Sequence, residues 1–358
     1  MERYFNAYKV RYTFLDSYLR PIKNTHLIRT MNIFINLDDF FHKLHTPFAA
    51  KEFQVISQNS AKQLTSNVFN LIGHYKNWAV KNGIRPRIFI VYTTSTKTFK
   101  NRMHLSTYRD HYLEISSENN GQFYHINQAI QNSRGIIPVI AKYIKNVYAI
   151  DSKYLEPSAV PLHLSNQFKA DWNLLISRDE YDIQYCYRDR WSLMQPLGDY
   201  TDFVTKSNMW DHIIRKEKVE LDHEIHYTPA MFPLMMAVAG NRYRSIPRLK
   251  KVSWKTLFKW MDEVNSNSTI VDRSVVEIQM QRFMDLVNRK KMEAEALNAN
   301  LYCIDVERQV MAFMETDKAI IDSCIEDMED FKSLNQINVD VFREFPLNLQ
   351  FLCRDIIA

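Results

Sequence analysis

From Met31 onward the sequence predicts an α/β sheet followed by a helical region, and three observations carry that expectation. Short β-branched and aromatic runs alternate with longer stretches of helical periodicity as far as residue 200, the pattern of strands joined by helical crossovers. Beyond Tyr200 the pattern turns mostly helical. The 358 residues, 46% hydrophobic and 24% charged, have the composition of a folded chain, long enough for one large domain or two ordinary ones.

The elements follow in order. Residues 1–30 mix Tyr4, Phe5, Tyr8, Tyr12, Phe14 and Tyr18 with Arg3, Lys9, Arg11, Arg20 and Lys23. They read as an N-terminal extension, either packed on the domain surface or serving as an arm for nucleic acid or a protein partner. "NIFIN" predicts the first strand, and "DDFFHKLH" a helix whose acids Asp38 and Asp39 suit its positive N-terminal end. "NSAKQLTSNVFNLIGHYKNWAVKNG" predicts a helix stopped by Gly83, and "RIFIVY" (87–92) a buried strand. The polar, basic stretch 93–122 is too long for an ordinary connection and reads as a functional loop or arch. "INQAIQNSRGIIPVIAKYIKN" is helical, "VYAI" a strand, "LEPSAVPLHLSNQFK" a helix start, and "WNLLISRDEYDIQY" a strand entering a loop. "MFPLMMAVAG", "SVVEIQMQRFMDLVNRKKMEAEALNANL" and the run to Ala358 are helical, the methionines serving as core filling.

Composition excludes several classes. Six glycines argue against Gly-rich phosphate loops. Cys186, Cys303, Cys324 and Cys353 are widely separated, so neither a zinc cluster nor a disulfide framework is expected, and a reducing, cytoplasmic setting is. No apolar run reaches the ~18 residues of a membrane span, and "MERYFNAYKVRYTF" lacks the apolar core of a signal peptide, so no membrane partner is expected. His42 with His45, and His223 with His226, share helix faces without a third ligand and read as surface or packing histidines. No Ser or Cys has a recognisable base partner.

The net charge of +5 is mild, but it is clustered. "NRYRSIPRLKKVSWKTLFKW" (241–260) carries Arg242, Arg244, Arg248, Lys250, Lys251, Lys255 and Lys259 with no acid. A short helix, a turn at Ile246-Pro247 and a second helix starting near Ser253 would aim backbone N–H groups and lysines at one surface. Such a surface grips phosphates without reading bases.

This stretch resembles the helix-turn-helix signature of the 5′ nuclease superfamily, which includes flap endonucleases and 5′ to 3′ exonucleases. Ile246-Pro247 and Lys255-Thr256 are kept, while the hairpin glycines are replaced by Arg248, Lys250 or Lys251, and Ser253. "MNIFINLDDFFHKL", "RIFIVYTT", "FKNRMHLSTYRDHY" with its Tyr108-Arg109 pair, "YLEPSAVPLHL" and "NLLISRDEYDIQY" resemble the family's other motifs in the same order, over about residues 31–262. The resemblance implies a PIN-like α/β nuclease-type domain (31–200), a helical region with the helix-turn-helix (201–265) and a helical C-terminal extension (266–358).

Members of that family hydrolyse phosphodiesters with divalent metal ions held by clustered carboxylates. Carried over, the acids fall on Asn36, Thr93, Ser158, Ala159, Tyr181 and Arg244, with Asn241 at a further acidic position; Glu156 and Asp179 alone are kept. Two carboxylates can at most hold one ion weakly, and Arg244 would repel it by several kcal/mol at ~4 Å and an effective dielectric of ~20. The resemblance therefore implies a catalytically degenerate protein with no intact catalytic set and no cofactor, binding duplex or junction DNA in viral or phage DNA replication or processing. Its expected contacts are Arg242, Arg248, Lys250, Lys251 and Lys255, with Thr256 as a helix-start hydroxyl and Lys97, Lys100, Arg102 and Arg109 on the arch side. Two alternatives stay open: an active Mg- or Mn-dependent exonuclease or flap endonuclease rebuilt around Asp38, Asp39, Asp151 or Asp182, and a structural or virion-assembly component, which would sit in the host cytoplasm or the virion.

Overall fold

The computed structural model describes residues 28–42, 44–45, 53, 60–94, 104–110, 114, 121–197, 200–220, 228–265, 273–290 and 293–333. Strand β1 (Thr30–Asn36) is buried from Met31 to its end, and its sequence shows no alternation of apolar and polar faces. Helix α1 (Leu37–His42) follows at once and buries Asp38 and Asp39 in its first turn. Helix α2 (Ser60–Lys81) ends two residues before Gly83, whose φ of +73° is the left-handed stop expected there. Then come β2 (Arg85–Tyr92), α3 (Tyr124–Ala141), β3 (Val147–Asp151), α4 (Val160–Gln167) and β4 (Trp172–Ile176). A hairpin of β5 (Trp191–Leu197) and β6 (Tyr200–Val204) closes the sheet. The helices α5 (Met209–Glu217), α6 (Phe232–Ala239), α7 (Trp254–Asn265), α8 (Arg273–Arg289), α9 (Ala294–Ile304) and α10 (Val306–Ser333) follow.

The sheet order is β3-β2-β1-β4-β5-β6, parallel except for β6. Phe34 at its centre stacks on Phe89 and Trp191, with ring centroids 5.3 and 5.5 Å away. Strands β1, β2 and β3 step one way and β4 and β5 the other. The crevice at this reversal opens beyond the carboxyl ends of β1 and β4, next to Asn36 and Ile176, where open α/β sheets place their ligands.

One feature departs from the sequence expectation. The β5–β6 hairpin was not anticipated, because Pro196 interrupts a short run that then leads into helical residues, and proline demotes a strand. It also crosses residue 200, so the sheet extends to Val204. The described part of the C-terminal helical extension packs on the same core. Phe283, Leu286, Leu301, Ile321 and Met328 join the same core as the sheet. Helix α10 docks through Gln167 to Asp322 (3.0 Å) and Tyr148 to Glu329 (3.2 Å). Among the described residues, no helix is long and apolar enough to cross a membrane.

The connection from α6 to α7 sets the basic surface. Gly240 ends α6 at φ +71°, ψ 173°, a region only glycine visits readily. Asn241 and Ile246 then pair as an isolated bridge around the turn Arg242–Arg244. A Cβ on Gly240 would lie 2.7 Å from the Arg248 nitrogen and the Ile246 oxygen, both backbone atoms that cannot step aside. Gly240→Ala is therefore expected to cost about 2–4 kcal/mol of stability, read by urea unfolding; a loss under 1 kcal/mol would contradict this packing.

Candidate functional site

The residues onto which the resemblance carries the family's carboxylates lie at the crevice on the carboxyl edge. Asn36 ends β1, Thr93 follows β2, Glu156, Ser158 and Ala159 lead into α4, and Asp179 and Tyr181 follow β4. Arg244 enters from the turn after α6. All eight side chains are at most 3% exposed.

Arg244 lies at the centre. Its Nε donates to Asp179 Oδ2 (2.7 Å), Nη1 to Tyr108 Oη (2.8 Å) and Nη2 to Ser158 Oγ (2.6 Å). Nη1 also stands 3.0 Å from Glu156 Oε1, and the guanidinium lies 3.6 Å over the Tyr181 ring. Asn36 donates to Ser158 Oγ (2.8 Å), and Asn241 donates to Asp179 Oδ1 (3.2 Å). Burial pushes the Asp179 carboxyl up, but Arg244, the Tyr181 N–H and Arg109 together more than offset this and leave it below its ordinary value.

Arg109 was expected on the arch surface, and the structure corrects this. It is 2% exposed, ion-paired with Glu156, and its backbone N–H donates to Arg244 O (2.8 Å). A buried carboxylate needs its charge matched, and the foot of the arch supplies the match by folding into the crevice. Two arginines thus face two carboxylates. Lys97, Lys100 and Arg102 lie outside the described residues, as do His223, His226 and Cys353.

Among the described residues the displaced acids do not come together in a group of three that could hold a metal ion. Asp38 pairs with Arg134 of α3 (2.7 Å) and accepts from the Thr93 N–H (3.2 Å). Burial raises the Asp38 carboxyl, with Arg134 offsetting part of the shift. Asp39 accepts from the Arg178 backbone N–H and from Ser177 Oγ. Asp151 is held by Thr94, through its N–H (2.9 Å) and hydroxyl (2.6 Å). Asp182 is fully buried, and burial, with the Asp179 charge behind it, pushes its pKa up to about 8. Sequence reasoning missed Arg134, whose only signal is a cation in the apolar stretch "IQNSRGIIPVIA". His45 binds Asn127 (2.8 Å) and His42 packs edge-on against Tyr243.

The basic turn presents the other expected residues. Arg242, Arg248, Lys250, Lys251, Lys255 and Lys259 are exposed, and only Arg244 of the seven is withdrawn. Arg248 bonds Ala239 O through Nε (3.1 Å), and Lys250 bonds Lys290 O (3.0 Å). Ser253 Oγ accepts the Thr256 N–H (3.3 Å) at the start of α7, and Thr256 lies in that helix's first turn.

Solved structures share this architecture. The T5 5′-exonuclease with bound divalent metal ions (zinc) superposes with a TM-score of 0.51 at 13% identity, covering 85% of this chain and 100% of that one. The bacteriophage T5 flap endonuclease, in a complex of an aspartate-to-lysine pseudo-enzyme with product DNA and metal ions, gives 0.53 at 13% identity with the same coverage. The chain has the 5′ nuclease fold. Neither a family model nor a curated protein sequence matches it.

In the 5′ nuclease fold this crevice would hold divalent ions, and the residues present do not fit them. Both kept carboxylates are already bonded to arginine, the other positions offer neutral groups, and the Arg244 guanidinium fills the space between the acids. An ion ~4 Å from Arg244 would meet about 8 kcal/mol of repulsion at an effective dielectric of ~20.

Arg244→Met leaves Asp179 without its ion pair, so a loss of about 3–5 kcal/mol is expected in urea unfolding. Asp182 adds a pH signature. The native state keeps a proton that the unfolded chain sheds near 3.8, so the native state binds more protons and stability falls as pH rises from about 4 to about 8. In Asp182→Asn that slope should flatten; an unchanged stability–pH profile would mean Asp182 is ionised in the fold.

Proposed function

We propose that this chain is a 5′ nuclease-type protein that no longer hydrolyses phosphodiesters and binds duplex or junction DNA through its phosphate backbone. The observation that carries the reading is the Arg244 guanidinium, fully buried and bonded to both remaining carboxylates. Hydrolysis in this fold needs cations that can activate water and bind a phosphate. A guanidinium has no acidic water to offer, and its donors here are taken by Asp179, Tyr108 and Ser158. The solved flap endonuclease complex is described as a pseudo-enzyme with lysine in place of one aspartate, and it is still seen with DNA and with metal ions. The change here has the same sign and is accompanied by several further losses.

Binding rests on the exposed cations of the turn, Arg242, Arg248, Lys250, Lys251 and Lys255, beside the amino end of α7. Contacts of this kind are salt-sensitive and largely indifferent to base sequence. The role fits DNA replication or processing, and the bacteriophage origin of the flap endonuclease supports a viral setting.

The test incubates the protein with flap and nicked duplexes in magnesium or manganese. No cleavage above the buffer control is expected, and binding should persist in a chelator. Cleavage that disappears in Asp179→Ala would overturn the reading. Replacing Lys250, Lys251 and Lys255 by Gln should lower the slope of log affinity against log salt by about 0.9 for each lost phosphate contact.

A further inference from the structure

We propose that the amino-terminal edge of the parallel sheet is a second phosphate-binding surface, which holds a separate segment of duplex DNA. Each of the five parallel strands is entered through an exposed cation. In sheet order these are Lys145 before β3, Arg85 at the start of β2, Arg29 before β1, Lys169 before β4 and Arg190 before β5. Backbone bonds tie the row together. The Arg85 N–H donates to Arg29 O (2.8 Å), and the Asn173 N–H on β4 donates to Arg190 O (2.8 Å). Arg87 reaches Lys169 O (3.2 Å) and adds a sixth cation behind the row. With ~4.8 Å between neighbouring strands, the five charges spread over ~19 Å of the edge.

The acids nearby are engaged. The Asp171 carboxylate accepts from the Arg29 and Thr30 N–H groups (2.9 Å each) and from the Thr30 hydroxyl (3.0 Å). Asp189 pairs with Lys206 (3.0 Å), and Glu329 accepts from Tyr148. None of the five row cations makes an ion pair among the described residues.

The shape of the row favours nucleic acid over an acidic protein. Protein interfaces gather their energy from aromatic or apolar anchors seated in pockets. The aromatics at this edge are committed inward: Phe168 packs on Phe89 and under Arg87, and the Trp172 ring N–H is bonded to Ser192. A row of cations with no apolar anchor suits phosphate contacts, and of the carboxylates beside it Asp171 is tied to backbone N–H groups and Asp189 to Lys206. The edge also lies a strand length away from the Arg244 crevice, ~20 Å for a seven-residue strand, so it faces a different segment from the basic turn.

The test uses the full chain, a bead-bound duplex and a second, fluorescent duplex too short to span the protein. Wild type should retain the second duplex on the beads in a salt-dependent way. An edge variant with Arg29→Gln, Arg85→Gln, Lys145→Gln and Arg190→Gln should bind the first duplex and lose at least tenfold in capture of the second. Its melting by circular dichroism should match wild type, since all four side chains are exposed. A turn variant with Lys250→Gln, Lys251→Gln and Lys255→Gln should still bind one duplex. The inference is overturned if the edge variant bridges as well as wild type, or if polyglutamate displaces the second duplex as effectively as unlabelled duplex, which would mark an acidic-protein site. Normal binding by the turn variant with none by the edge variant would also overturn the inference of a second surface, since a single grip would then lie at the edge.

Discussion

The guanidinium of Arg244 joins four parts of the chain that are far apart in sequence: the loop after β4 through Asp179, the start of α4 through Glu156 and Ser158, the foot of the arch through Tyr108, and its own turn. The carboxyl edge of a parallel sheet at its reversal point is open by topology, and something must fill it. Metal ions and water can do so in a nuclease. Here side chains do it, and the result is dry: Tyr108, Tyr181 and Arg244 are fully buried. Charge is balanced by pairing, Arg109 and Arg244 against Glu156 and Asp179, with Arg134 against Asp38 close by. Buried pairs of this kind add little net stability over an apolar core, yet removing one member is costly. That asymmetry locks the arrangement in place once it exists.

Ions exchange and guanidinium groups do not. An ion can be lost, regained or coordinated by substrate, whereas Arg244 is covalently fixed and reaches its partners with directional hydrogen bonds. The foot of the arch is held by the same network, through the Arg109 N–H to Arg244 O and Thr107 to Ser245 O (3.4 Å). The ion pairs that fill the crevice and the contacts that hold the foot of the arch are therefore one network.

Much of this was legible in the sequence because it rests on local chemistry. The strands "NIFIN", "RIFIVY" and "VYAI" are apolar runs of strand length, and Gly83 stops α2 as a left-handed residue should. Motif order raised the convergence of Asn36, Glu156, Asp179 and Arg244 only as a question, which their bonds through Ser158 and Arg244 answer. What could not be read was pairing across long separations. Arg109 looks like an arch cation until Glu156, 47 positions on, draws it inside. Arg134 looks like a helix-surface residue until Asp38, 96 positions back, takes it. Strand β5 was hidden by Pro196, and its place comes from pairing with β4, which no local pattern announces.

The turn between α6 and α7 shows what holds the basic surface in place. Ser245, Lys250 and Lys251 all sit at positive φ, 55°, 44° and 57°, where glycine is the least strained residue. Each non-glycine residue there costs about 1–2 kcal/mol. At Gly240 the fold has no choice, because backbone atoms occupy the place of a Cβ. At Lys250 and Lys251 it has one, and both side chains project into solvent rather than into the core. The Lys250 ammonium bonds the Lys290 carbonyl. Charge carried at the tip of this turn is what the proposed grip on phosphates uses.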